Sequence, residues 1–304
     1  MINRYAYKDL TWVDLESPTA DEVRQIMEEY EIDPLVGQQL LTPSIKPKVD
    51  AHGHFLFVIL HFPALRHSHS KDQNQEIDFL VGKEFIITTR YDSIDPLHEF
   101  SKIFEVNSIL NKDIFGEHAG YIFYSMVEKL YASIGQELDS IDGSLHAIEE
   151  EIFAGKEKRM VIELSRASRD LLDLREGISL HKEVLHSLLP QSKQFFDEKF
   201  SQYLGRIVDE YYKVHTEIDS RREYMRELRE TNDSLLETKQ NEIMKIFTIM
   251  AFFTFPLALL VSILTIESPS NPIRGAENEF WIIIGIVLAG LLSMYSYFRF
   301  KKWL

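Results

Sequence analysis

The chain has 304 residues, 33 basic against 48 acidic side chains, a net charge of −15 and no cysteine. So acidic a surface argues against nucleic acid as the partner, and the lack of cysteine fits a reducing compartment. The length suffices for one or two domains with a substantial core.

The charge is unevenly spread. Residues 241–304 carry five basic and four acidic side chains, net +1, which leaves −16 on residues 1–240. Acidity of that size serves solubility and is compatible with binding cations.

The N-terminal "MINRYAYKDLTW" has no apolar signal-peptide core. The first hundred residues read as mixed α/β. "TWVDLESPTADEVRQIMEEY" predicts a short strand and then a helix entered at Thr19, with acidic residues in its first turn. "HFLFVILHF" and "EFIITTR" are short apolar, β-branched and aromatic runs of the strand type. "EIDFLVGKEFIITT" reads as a hairpin turning at Gly82-Lys83. His52, His54, His61, His67 and His69 cluster in sequence. A metal site would need several of them to converge, and ordinary strand and loop positions explain them as well. No glycine-rich nucleotide loop, Gly-x-Ser-x-Gly or His-Glu-x-x-His occurs, so no enzyme is expected.

From about Glu117 the pattern becomes helical, with a break near Ala154-Gly155 and an end predicted at "LLP", residues 188–190. From about Asp197 to Pro256 no proline interrupts the chain. The pattern predicts one helix of about 68 residues, roughly 100 Å long, running into the first apolar span. The alternative is a break near Thr238.

Two stretches lack charge altogether: Ile246–Ile266, 21 positions, and Phe280–Phe298, 19 positions. Each is long enough to cross a hydrocarbon core of roughly 30 Å. Lys239 and Lys245 precede the first, and Arg299, Lys301 and Lys302 follow the second. The positive-inside tendency places both termini in the cytoplasm, in a multi-pass protein of the cell membrane. The expected organisation is a cytoplasmic α/β domain over residues 1–115, a long-helix stalk over 116–240, and a membrane domain over 241–304 with spans at about 243–266 and 280–298.

With Asn241 at heptad position a, the a and d positions are Asn241, Met244, Thr248, Ala251, Phe255, Ala258, Ser262 and Thr265; six of these eight are small or polar. Large apolar residues such as Phe247, Phe252, Leu257 and Leu260 lie between them. Tight helix packing explains the small members. It explains Asn241 and Thr248 less well, because polar groups in a membrane helix face protein or water. Several copies around an axis would give alternating polar rings and apolar constrictions, the construction of a narrow ion pore.

The run "NEIMKIFTIMAFFTFPLALLVSI" and the ending "YFRFKKWL" resemble the CorA family of divalent-cation transporters. "TWVDLESPTADEV" and "FLVGKEFIITT" look like that family's cytoplasmic strands, so the resemblance covers nearly the whole chain. It implies an α+β cytoplasmic domain, a mixed sheet with flanking helices and a stalk helix, followed by a two-helix transmembrane hairpin. It also implies a homopentameric funnel whose first spans line the pore. Asn241 would then form the cytoplasmic polar ring, Met244 and Phe255 the hydrophobic constrictions, and Thr248 the lining between. No cofactor is implied; the ligand expected is a transported or regulatory divalent cation, Mg²⁺ or Zn²⁺, Co²⁺ or Ni²⁺.

The chain departs from the family at two places. Members carry Gly-Met-Asn at the end of the first span, and zinc-transporting relatives Gly-Ile-Asn. Here Thr265-Ile266-Glu267 stands in that position. Five copies of Glu267 would form a carboxylate ring at the outer mouth, suited to cation capture. The 13-residue loop 267–279, with one Arg and three Glu, adds further negative charge. The family's paired Asp on the stalk, which contributes to a regulatory Mg²⁺ site, reads Arg206-Ile207-Val208-Asp209. Only Asp209 keeps its acid, so a weak regulatory site is expected there. Besides a conducting channel, two readings stay open: a non-conducting sensor or scaffold of the same fold, and a proton-coupled transporter of the zinc-transporting type.

Overall fold

The computed structural model describes residues 1–64, 74–110, 116–266 and 278–301. The chain forms two compact units, residues 1–230 and 231–304.

The first unit is built on a six-stranded mixed sheet. Its strands are β1 (Ile2–Tyr7), β2 (Leu10–Glu16), β3 (Lys48–His52), β4 (Phe55–Pro63), β5 (Asn74–Val81) and β6 (Phe85–Arg90), in spatial order β1-β2-β6-β5-β4-β3. Only β2 and β6 run parallel. The sequence explains which strands are central. β4, "FLFVILHFP", is apolar at nearly every position and buried on both faces, whereas the edge strands β1 and β3 are partly exposed. The hairpin at Gly82-Lys83 forms as the sequence indicates, closed by Gly82 N–H donating to the Phe85 carbonyl at 2.8 Å.

One sheet face carries Val13, Leu15, Phe57, Ile59, Leu80 and Ile87. It is covered by helices α1 (Ala20–Glu29) and α2 (Pro34–Gln39). Helix α1 begins at Thr19 with a reciprocal cap: Glu22 N–H donates to Thr19 Oγ1, and Thr19 N–H to Glu22 Oε2. Asp33 caps α2, with Pro34 in its first turn.

Helix α3 (Asp95–Ile109) lies against the opposite face, where Phe100 and Phe104 pack edge-on to Trp12. Helix α4 (Gly120–Phe153) meets the same face, with Phe123 against Phe79. The chain turns back at Gly155, whose φ of 87° favours glycine, into α5 (Glu157–Ile178).

Two helix boundaries differ from the sequence reading. A break falls at Ser179-Leu180, between α5 and α6 (His181–Phe195). His181, which opens α6, is fully buried there between Tyr131 and the end of β4. And Pro190 does not end a helix; it sits inside α6. Proline takes a hydrogen bond from the carbonyl four residues back, here that of His186. Pro190 lies on the exposed face of α6, where water can serve that carbonyl, while Val184, Leu185 and Leu188 hold the other face in the core.

Helix α7 (Glu198–Leu264) contributes to both units and runs 67 residues with no break at Thr238. It is entered through Asp197, which accepts from Phe200 N–H at 2.7 Å. In the second unit its C-terminal part is accompanied by α8 (Glu279–Phe300). Both helices are long and apolar enough to cross a membrane.

Candidate functional site

The stripe read from the sequence lies on the C-terminal part of α7. Asn241, Met244, Thr248, Ala251, Phe255, Ala258 and Ser262 are within the helix. Thr265 sits one residue beyond it, its N–H still donating to the Val261 carbonyl at 2.9 Å. All are exposed in the single chain except Ala251, which is partly covered.

Helix α8 covers a different face. Phe253 stacks on Phe298, with ring centroids 5.1 Å apart, and Phe252 approaches the same ring at 6.3 Å. Gly290 leaves room for Leu257: a Cβ there would stand 3.2 Å from Leu257 Cδ2. Successive helical residues turn by about 100°. Phe255 is therefore roughly 200° round the helix from Phe253, and Ser262 roughly 140° from Leu257. The stripe and the α8 contact point in broadly opposite directions. Ala258 and Ser262 also border a shallow groove of about 590 Å³ with Phe253, Leu257, Val261 and Leu291, so they stand where the two faces meet.

The threonine hydroxyls have fixed acceptors. Thr248 Oγ1 donates to the Met244 carbonyl at 2.8 Å, and Thr265 Oγ1 to the Val261 carbonyl at 2.9 Å. A hydroxyl whose hydrogen is turned back into its own helix presents only lone pairs outward. Such a surface suits a cation and not an anion. Pro256 lies within the helix and offers no N–H to the Phe252 carbonyl.

Glu267 lies outside the described residues, as do Arg274, Glu277, Lys302, His67 and His69. Asp209 is exposed on α7. Arg206, one turn earlier, holds its guanidinium 5.1 Å over the Tyr203 ring. Among the described residues no group of three or more His, Asp or Glu side chains is arranged to hold a metal. The described histidines do not converge. His52 stacks on Phe55, His54 bonds the Tyr30 carbonyl at 2.8 Å, and His61 lies 3.0 Å from Glu76.

The sequence reading passed over Glu76, Asp78, His181 and Tyr131, which the fold buries. For the acids a signal was present: Glu76 and Asp78 alternate with Ile77 and Phe79 in "EIDF", a polar face on a strand buried along most of its length.

A family model described as CorA-like Mg²⁺ transporter protein matches residues 7–302. The cobalt/magnesium transport protein CorA of Thermotoga maritima is 24% identical over 298 residues, 97% of this chain and 83% of that protein. Among solved structures, the complete CorA magnesium transporter from Methanocaldococcus jannaschii superposes with a TM-score of 0.84 at 16% identity, covering 97% of this chain and 92% of that one. The full-length CmaX protein superposes with 0.74 at 16% identity, covering 97% and 89%. The fold is that of these full-length chains.

Proposed function

We propose that this chain, which belongs to the CorA-like Mg²⁺ transporter family, carries divalent cations across a membrane through a homopentameric pore lined by the stripe on α7. One observation carries the reading: the small and polar stripe of α7 lies within the surface that α8 leaves uncovered. Large apolar residues can meet lipid, but Asn241, Thr248 and Ser262 need protein or water in front of them. A second copy, and then a closed ring of copies, supplies it.

The lining is built from oxygen. The amide of Asn241, the outward lone pairs of Thr248 and Thr265 and the carboxylate of Glu267 are hard ligands, and no His or Cys lies among them. That set favours Mg²⁺ over Zn²⁺, Co²⁺ or Ni²⁺, which prefer nitrogen and sulfur. Met244 and Phe255 form apolar constrictions between the polar rings. The basic residues beside both spans place the two termini on the cytoplasmic side.

The test is uptake of Mg²⁺, Co²⁺, Ni²⁺ and Zn²⁺ into liposomes holding the purified full-length chain. Mg²⁺ flux well above empty liposomes supports the reading. Absence of flux for all four ions supports a non-conducting sensor or scaffold of the same fold, the reading favoured by Thr265-Ile266-Glu267 in place of Gly-Met-Asn. Flux that appears only with an imposed proton gradient makes the chain a proton-coupled transporter.

A further inference from the structure

The α1/α2 face of the sheet is apolar over most of its area and becomes polar at one end. Alternation along β5 puts Glu76 and Asp78 on the same face as Leu80. Cross-strand register adds His61 opposite Glu76, and Thr89 opposite Asp78. The end of α2 and the loop after it close over this patch. Ser44 N–H donates to both Glu76 oxygens, at 2.9 and 2.7 Å, and Tyr91 Oη stands 3.1 Å from both the Gln39 carbonyl and Asp78 Oδ2. Asp78 is completely buried, and the Glu76 side chain is 3% exposed.

Two ionised carboxylates at this place lack compensation. Among the described residues no arginine contacts either. Lys48, on neighbouring β3, holds its Nζ 2.7 Å from Asp50, so its charge is already matched. Glu76 is served by Ser44 N–H and by His61 Nε2 at 3.0 Å. Asp78 Oδ2 shares the single Tyr91 hydroxyl hydrogen with the Gln39 carbonyl, and Oδ1 is buried with no donor in reach. Thr89 does not supply one, since its own buried hydroxyl is also unpartnered. His61 cannot supply one either: Nε2 is directed at Glu76 and the Ser44 carbonyl, and Nδ1 is buried and unpartnered. A carboxylate offers only acceptors, and a carboxylic acid offers one donor. Leaving a buried anion unpaired is far costlier than binding a proton.

We propose that Glu76 and Asp78 hold one proton between them, and that this buried acid pair makes the covering loop Leu40–Lys46 responsive to pH. Burial, with the Glu76 carboxylate beside it, raises the Asp78 carboxyl well above the usual range. Among the described residues the other titratable groups facing the pair are Tyr91, His61 and Lys48, the last paired with Asp50. Tyr91 is itself held up by burial and by Asp78. His181 reaches the patch only through the His61 carbonyl, at 2.7 Å. The sign follows from linkage. An acid whose folded value is raised stabilises the fold below its unfolded value, and that stability is lost as pH rises through the folded value. Alkalinisation removes the shared proton and sets two buried carboxylates against each other, and their repulsion displaces Glu76 from the place where it holds the Ser44 latch. The device belongs to the sheet unit and does not depend on the transport reading.

Infrared spectra of the full-length protein at neutral pH test the proton directly. A protonated carboxylic-acid band should be present, slow to shift in D₂O, and lost in Asp78→Asn. Hydrogen exchange of the Leu40–Lys46 amides tests the latch. Normalised to intrinsic rates, their protection should fall at least about tenfold between pH 6 and 10, and Asp78→Asn, which keeps the shape without the charge, should flatten that fall. Glu76→Gln should flatten it as well, and serves if Asp78→Asn does not fold. No slow carboxylic-acid band in the parent, or a band unchanged in Asp78→Asn, overturns the shared proton. Loop protection equally pH-dependent in parent and variants overturns the latch.

Discussion

His181 shows how one buried side chain makes the fold sensitive to acid. Its Nδ1 lies 2.7 Å from Tyr131 Oη, its Nε2 lies 2.7 Å from the His61 carbonyl, and no solvent reaches it. Only Nε2–H donating to the carbonyl, with Nδ1 accepting from tyrosine, uses both contacts without a charge. Burial accordingly lowers its pKa to about 4. In the unfolded chain the imidazole binds a proton below about pH 6.5, and in the folded chain it does so only near 4. The stability it contributes is complete above about pH 6.5 and is lost as pH falls toward 4, a change of about 3 kcal/mol. His181→Gln keeps polar atoms and removes the titration. It should lower Tm at neutral pH, where two buried contacts are weakened, and should flatten the drop in Tm between about pH 6.5 and 4. An unchanged slope would assign the acid sensitivity to another group.

Glu267 poses the residue-scale question for transport. In the proposed pentamer five Glu267 carboxylates at a narrow mouth would repel one another, and a bound divalent ion would relieve that repulsion. Glu267→Gln retains the shape and removes the charge. Its apparent affinity for Mg²⁺ in liposome uptake should weaken by about tenfold or more, the effect of losing one to two kcal/mol of charge attraction. Flux equal to the parent at every Mg²⁺ concentration would move cation capture elsewhere in residues 268–279.

Helices and strands were legible in the sequence where one pattern decides them. Thr19 with Glu22, the run "HFLFVILHF" and the Gly82-Lys83 turn each gave their element because capping, burial on both faces and hairpin chemistry are local. The uninterrupted α7 was legible for the same reason, since no strong breaker occurs before Pro256. Pro190 misled because the effect of a proline depends on which side of the helix it faces, and that is set by packing. The Ser179-Leu180 break has only weak punctuation in sequence, Gly177 and Ser179, and the contact of His181 with β4 just beyond it is long-range. The Glu76–Asp78 patch needed the register of three strands before its members could be seen together.

Close packing of α5 on the end of β4 is a further element-scale feature. Gly177 is buried, and a Cβ there would fall 2.8 Å from the Pro63 backbone nitrogen and ring. That neighbour is backbone and ring, so it cannot swing aside. Gly177→Ala should improve local helix propensity by up to about 1 kcal/mol yet cost about 1–3 kcal/mol through overpacking. The net result should be a lower Tm. A higher Tm would show that α5 can shift on β4 at little cost. Gly143→Ala, on α4 with open space around its Cβ position, provides the contrast and should raise Tm slightly.

At the scale of the whole molecule, something must cover the free face of α7. The structure is one chain, and in it α8 occupies only one side of the membrane part of α7. An apolar side can be left to lipid, but a side bearing Asn241, Thr248, Ser262 and Thr265 cannot. Packing of α7 helices directly on one another would bury those residues against protein and shut out water. A ring around a central axis would leave them facing water, with the α8 helices outside. The two arrangements differ in accessibility, and the chain's lack of cysteine makes that easy to read. Single cysteines at Thr248, Ser262, Leu257 and Phe253 should divide into two classes in full-length protein in liposomes. Thr248→Cys and Ser262→Cys should react with a small, water-soluble thiol reagent, and the labelling at Thr248 should slow when Mg²⁺ is present to occupy the pathway. Leu257→Cys and Phe253→Cys, turned toward α8, should stay unreactive. Cross-linking of the same preparations should end at a five-chain species. Labelling at Leu257 and Phe253 with none at Thr248 or Ser262 would reverse the face assigned to the pore, and a species that stops at two chains would replace the ring by a closed helix pair.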